Sequence, residues 1–204
     1  MAQIIATDFE AGMELTYRRT LRIRFTFHSI AGFGDLGHTL FRTTPETYPA
    51  KFLAGDVFDD AHLSLTAPRS SGPPPPVRSV NSLTELRERV SAIYASSFFH
   101  LFSEENQFEA CKRVAALLDP RPGSIIFGSH GANPVKGQGE EIYTGMFCHS
   151  PESWTQMWEE QVFEKGQVKV NTVLKRLDVS AEGRAVLVGG NIKSYWLTWS
   201  VERL

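Results

Sequence analysis

The sequence predicts an α/β fold, a three-layer sandwich built on a mostly parallel sheet with an antiparallel strand pair closing its C-terminal edge. Three observations carry this. Apolar strand-like runs alternate with helix-like ones through the middle of the chain. The tail reads as strands separated by turns, with no helix between the last two. The 204 residues, 42% hydrophobic and 22% charged, suit one globular domain with a sizeable core.

The elements follow in order. "LRIRFTF" (21–27) is a strand, although Arg22 and Arg24 are unusual for one buried on both faces. "IAGFGDLGHTLFR" (30–42) then places Gly32, Gly34 and Gly37 in the spacing G-x-G-x-x-G. "AKFLAGDVF" is a short buried strand ending at Gly55-Asp56. "APRSSGPPPPVRS" (67–79) contains four consecutive prolines, which neither continue a helix nor sit inside a sheet, so it is an exposed, polyproline-like surface loop. "SLTELRERV" is a short helix capped by Ser82, and "VSAIYASSFF" a second apolar strand.

Ser103 caps the next helix, whose first turn holds Glu104 and Glu105, where carboxylates suit the helix dipole. Its apolar face is Phe108, Cys111, Ala115 and Leu118, and Pro120 ends it. "GSIIFGSH" is a third strand, and "HGANPVKGQGEEIYTGMFCH" a polar, glycine-rich loop of the kind that covers a site. "SPESWTQMWEEQVF" is a helix with Ser150 as cap, Pro151 in its first turn, and Trp154, Met157, Trp158 and Val162 on one face. "QVKVNTVLKRL", "AVLVGG" and "KSYWLTWSVERL" supply the closing strands.

Bulk properties exclude several classes. A net charge of −2 provides no electrostatic basis for binding nucleic acid or an anionic membrane. Two cysteines do not make a disulfide scaffold, and no C-x-x-C or H-E-x-x-H spacing points to a metal site. No run approaches the roughly 20 apolar residues of a membrane span, and the N-terminus lacks the apolar core of a signal peptide, so the expected location is cytoplasmic. Nothing in the sequence sets an oligomeric state.

In an open α/β sheet, ligands bind beyond the carboxyl ends of the strands, near the point where strand order reverses. The loops to examine are Asp56-Val57-Phe58, Ser96-Ser97-Phe98 and Ser129-His130-Gly131. The glycine motif reads in two ways. It follows a strand, and Asp56 lies 19 residues beyond Gly37, as in a nicotinamide-dinucleotide unit whose acid holds a ribose. Alternatively, the three glycines simply open a helix.

From about Ala31 to the C-terminus the chain resembles fungal S-adenosylmethionine-dependent methyltransferases of secondary-metabolite clusters, the terpenoid and meroterpenoid O-methyltransferases among them. The stretches that carry the resemblance are "GFGDLGHTLFR", "KFLAGDVFD", "AIYASSFFHLFSEENQ", "PGSIIFGSHG" and "MFCHSPESW". It divides the chain into a divergent segment, 1–30, and a methyltransferase-like domain, 31–204. The implied fold is a Rossmann-like class I methyltransferase sandwich. It is incomplete at its N-terminus, because no D-x-G-x-G loop lies upstream. Within this family "GFGDLGHTLFR" opens the helix after the second strand.

The resemblance implies S-adenosyl-L-methionine as cofactor and a small apolar metabolite, methylated on a hydroxyl or carboxyl group, as substrate. Asp56 and Val57, with Phe58 completing their loop, match the turn that contacts adenine, and Ser96 and Ser97 the turn that approaches the methionine portion. Asp56 also reads as a turn cap, and the serine pair as a tight strand-to-helix turn. His130 and His149 are candidates for a base or a substrate contact, although lone histidines are as readily structural. Phe98, Met146 and Trp154 could line an apolar substrate pocket or belong to the core. His100 reads as buried and hydrogen-bonded. Two alternatives stand beside the enzyme: a non-catalytic relative that binds a partner or metabolite, and an NAD(P)-dependent enzyme.

Overall fold

A computed structural model describes residues 3–8, 21–26, 39–44, 50–68, 72–73, 75–76, 79–139, 143–178 and 193–204. The glycine motif at 32–37 and "AVLVGG" lie outside these residues.

One seven-stranded sheet organises the chain. Its strands are β1 (Gln3–Asp8), β2 (Leu21–Thr26), β3 (Ala50–Ala54), β4 (Val90–Ala95), β5 (Ile125–Ala132), β8 (Val168–Asp178) and β9 (Lys193–Arg203), in the spatial order β3-β1-β2-β4-β5-β9-β8. Residues that alternate along the strands align in rows across it: Ile93 of β4 faces Ile126 of β5, which faces Val201 of β9, and Val201 faces Val170 of β8. Ile93, Ile126 and Val201 are fully buried, so this row lies in the floor of the core.

The α/β architecture stands, with parallel pairing confined to the middle. β2, β4 and β5 pair in parallel, whereas β1 is antiparallel to both β2 and β3, and β9 is antiparallel to both β5 and β8. The sheet is therefore mixed, where a mostly parallel one was expected. β1 is the cause, an N-terminal strand not read from the sequence that inserts between β2 and β3. β2 itself takes the central place beside β4, so the N-terminal segment contributes two strands to the domain.

The loop after β5 also contains a small second ladder, β6 (Gly137–Gln138) with β7 (Phe147–Cys148). "SLTELRERV" forms a single 3-10 turn, Leu83–Leu86. Glu85 Oε1 there accepts from the backbone N–H groups of Asn81 and Ser82 at 2.8 and 3.0 Å, satisfying donors a helix start leaves open.

Helix α1 (Glu104–Ala115) starts as expected, with Ser103 Oγ accepting from Asn106 N. Cys111 and Val114 reach the core from it, and Leu118 does so just beyond its end. The tryptophan helix begins at Ser150, whose Oγ accepts from Ser153 N at 3.2 Å, but it is α-helical only over α2 (Pro151–Gln156). Met157–Val162 widens into a π-helix that ends with Phe163 N donating to Trp158 O. No helix among the described residues is long and apolar enough to cross a membrane.

Candidate functional site

β2, β4 and β5 run in one sense, and β3 shares it across the intervening β1, so these four strands end on one side of the sheet. From β2 the chain proceeds to β3 on one flank, and from β4 to β5 on the other. The strand order thus reverses between β2 and β4, the crevice where open α/β sheets bind ligands.

Two turns flank it. After β3, Asp56 Oδ1 accepts from the N–H of Phe58 at 3.0 Å, an Asx turn that serves as the expected cap. The other carboxylate oxygen, Oδ2, accepts no hydrogen bond from a described residue, although the charge of Asp56 acts on His62, and Asp56 is exposed. Val57 behind it is fully buried, so its contribution to a ligand is restricted to backbone. Phe58 is half-buried and meets Phe102 edge-on at 5.1 Å.

After β4, Ser97 is exposed and has φ +52°, a left-handed conformation that side chains rarely adopt outside constrained sites. The turn is pinned to β5: Ser97 N donates to Ser129 O at 2.7 Å, and Ser96 Oγ lies 3.1 Å from Ser129 O and 3.0 Å from Ser129 Oγ. Gly128 makes this approach possible, because a Cβ there would stand 1.9 Å from Ala95 O. Phe98 is fully buried and packs edge-on against Phe102 at 5.3 Å. Phe102 therefore touches an aromatic ring from each turn, and the two turns share one hydrophobic support.

The expected histidines lie inside the protein. His130 is 1% exposed, among Trp154 (ring centroids 4.5 Å apart), Trp199 and Phe99. Trp199 Nε1 donates to His130 Nδ1 at 3.0 Å. An indole N–H only donates, so Nδ1 is the acceptor and the ring's proton sits on Nε2. Burial, reinforced by the neighbouring His100 and His149, holds His130 well below the usual histidine range.

His149 is 4% exposed, with Nδ1 2.9 Å from Ser153 Oγ. Burial, with a smaller push from Lys136 and against the pull of Glu104, lowers it to about 4. Neither imidazole reaches solvent. His100 is buried as expected, but its Nδ1 has no hydrogen-bond partner among the described residues.

Of the three residues expected to line an apolar pocket, Phe98 and Trp154 are wholly buried core. Met146 is half-buried, and its N–H donates to Tyr143 O at 2.9 Å. The structure thus brings Asp56, Val57, Phe58, Ser96, Ser97 and Phe98 to one end of the sheet. It gives Ser129, which the sequence reading named only as part of a loop, the role of a support, and it adds Phe102 and Arg113, two supports the sequence reading did not name. The spacing Glu109-x-x-x-Arg113, an i,i+4 pair on α1, was the one signal for the last of these.

The geometry also bears on the dinucleotide reading. An acid that holds ribose in such a unit ends the strand adjacent to the glycine-bearing one. Here β1 separates β3 from β2, placing Asp56's strand two spacings, about 9–10 Å, away.

No family model matches the chain. Among curated proteins, O-methyltransferase phiE of a fungal species is 33% identical over 137 residues, 66% of this chain and 39% of that protein. Methyltransferase adrK of Penicillium rubens is 27% identical over 136 residues, 66% of this chain and 42% of that one. The asnovolin E/chermesin D methyltransferase nvfJ of Aspergillus novofumigatus is 26% identical over 175 residues, 84% of this chain and 54% of that one. A solved complex of LepI with SAH and a substrate analogue aligns with 56% of this chain and 26% of its own at 12% identity, and its TM-score of 0.33 decides nothing about the fold. The chain spans about two fifths to about half the length of the curated relatives it matches. The resemblance to fungal methyltransferases thus extends to named proteins, and the chain's curated homologues are fungal methyltransferases.

Proposed function

We propose that this chain carries the cofactor-holding turns of an S-adenosyl-L-methionine-dependent O-methyltransferase acting on a small apolar metabolite. The observation that carries the reading is that the Asp56–Phe58 and Ser96–Phe98 turns lie on one end of the sheet, on either side of the β2/β4 switch point, and share Phe102 as a support. The donor set suits the cofactor. Asp56 Oδ1 is taken by the Phe58 N–H, which leaves Oδ2 for an adenine amine in this reading, and the left-handed Ser97 presents backbone and hydroxyl without a bulky side chain.

When bound, S-adenosylmethionine supplies a methyl group already activated by its sulfonium. The chain's task is to orient it and keep water away. In this reading Asp56 selects the adenine, Ser96 holds the second turn against β5, and Phe58 with Phe102 forms the apolar wall between the turns. The burial of His130 and His149 favours an acceptor needing no base from either, such as a carboxylate. A cytoplasmic setting belongs to the same proposal.

Calorimetric titration with S-adenosylmethionine tests it. Binding to the wild-type chain is expected, with affinity lowered about tenfold or more in Asp56→Asn. The asparagine keeps an oxygen for the Phe58 N–H but no anionic acceptor for the amine. Heat on adding NAD and none on adding S-adenosylmethionine would overturn the proposal. A second reading, a non-catalytic relative that binds a metabolite or partner, is supported by the burial of both imidazoles. It predicts cofactor binding without methyl transfer to any carboxylate or hydroxyl acceptor.

A further inference from the structure

We propose that Arg113 is a positioning residue for the turn after β3, acting through the peptide unit between Val57 and Phe58 to aim the Asp56 carboxylate; the inference rests on the cofactor reading above. Arg113 lies near the end of α1 and is 8% exposed, yet every contact of its guanidinium but one goes to the segment after β3. Nη1 donates to Leu63 O at 2.7 Å and to Val57 O at 3.4 Å, and Nη2 pairs with Asp60 Oδ1 at 2.9 Å. The exception is Nε, held by Glu109 Oε1 one turn back on α1 at 2.8 Å. Segment 57–63 is thus wrapped around a planar fork whose own direction is fixed from the helix.

The consequence reaches Asp56 through covalent geometry. The carbonyl of Val57 and the N–H of Phe58 are opposite ends of one rigid peptide plane. Arg113 holds the carbonyl end, while the N–H end donates to Asp56 Oδ1 at 3.0 Å. With Oδ1 fixed by that plane, the direction of Oδ2 follows. A carboxylate exposed to water, with no second hydrogen bond from a described residue, is thereby presented in one orientation. Arg113 touches no ligand in this arrangement; it acts on the group that does.

A merely structural arginine would weaken all ligands alike, whereas a positioning one changes discrimination at the adenine amine. The full chain is titrated calorimetrically with S-adenosylhomocysteine and with S-inosylhomocysteine, in which a carbonyl replaces the exocyclic amine. The wild type is expected to prefer the amine-bearing ligand about tenfold or more. Arg113→Met is expected to reduce that preference to within about twofold. Arg113→Lys, which keeps the charge and loses the fork, should fall between.

Asp60→Ala removes an exposed partner of the clamp, and should lower the preference with an unchanged thermal midpoint. If Arg113→Met does not fold, Arg113→Lys and Asp60→Ala decide the matter. An unchanged preference in both, or equal loss of affinity for the two ligands, overturns the inference. A wild type that binds both ligands equally overturns it, together with the adenine role of Asp56, and leaves cofactor binding by this chain standing, while one that binds neither overturns both.

Discussion

Acidification should destabilise this protein through His149, and the size of the effect follows from its surroundings. In the unfolded chain the imidazole titrates at its ordinary value of 6.5, whereas burial beside Phe147 and Trp154 lowers it to about 4 in the folded state. Between these values the unfolded chain binds a proton that the folded chain does not. Folding stability therefore rises with pH across the window, and is lost as pH falls through 6.5 until the decline levels off near 4. The gap is worth about 3 kcal/mol in full, and about 2 kcal/mol by pH 5, against a typical total of about 5–15 kcal/mol.

Urea unfolding followed by tryptophan fluorescence, at half-unit steps from pH 7.5 to 5, compares the wild type with His149→Asn. The asparagine amide stands in for Nδ1 toward Ser153 Oγ and does not titrate. His130 and His100, also lowered by burial, steepen both curves; His149 supplies only a minor part of the His130 shift, so the difference between the curves is chiefly that of His149. Below pH 6 the wild type should lose about 1.4 kcal/mol more per pH unit than the variant. Parallel curves would show that His149 is charged in the folded protein or lies open to water, and the reasoning would fail.

Three further outcomes follow from the packing. Trp199→Phe leaves His130 Nδ1 buried without its donor and should cost about 1–3 kcal/mol in urea unfolding at pH 7.5; a change below about 0.5 kcal/mol would mean that the bond is not formed. Gly128→Ala drives a methyl group against Ala95 O and should separate β4 from β5, with a loss of at least about 3 kcal/mol seen as a thermal midpoint lowered by roughly 10 °C. Cys111 and Cys148 are buried and free, and burial raises both thiols, Cys148 to about 11; neither should react with Ellman's reagent until the chain unfolds.

Much of the local structure was legible in the chain. Ser103 and Ser150 mark their helix starts because a hydroxyl that accepts from the third residue onward satisfies an otherwise open donor, whatever surrounds it. Asp56 was legible as a turn cap, the role its Oδ1 fills. The strands β2, β3, β4, β5, β8 and β9 follow from apolar runs bounded by turn residues. Not legible was β1, whose place between β2 and β3 comes from pairing with segments up to about fifty residues away, and which makes the sheet mixed.

The histidines show the same division. A polar residue at the end of a strand reads as a candidate base, and nothing adjacent in sequence reveals that Trp199, 69 residues on, covers His130 and occupies its Nδ1. The support of Asp56 by Arg113 likewise spans 56 residues between Val57 and the helix. The sequence by itself determined periodicity, capping and the identity of the turns, because these depend on neighbours within one helical turn or one strand. Only the tertiary structure decided which polar groups meet water, because burial and pairing are set by chain segments remote in sequence.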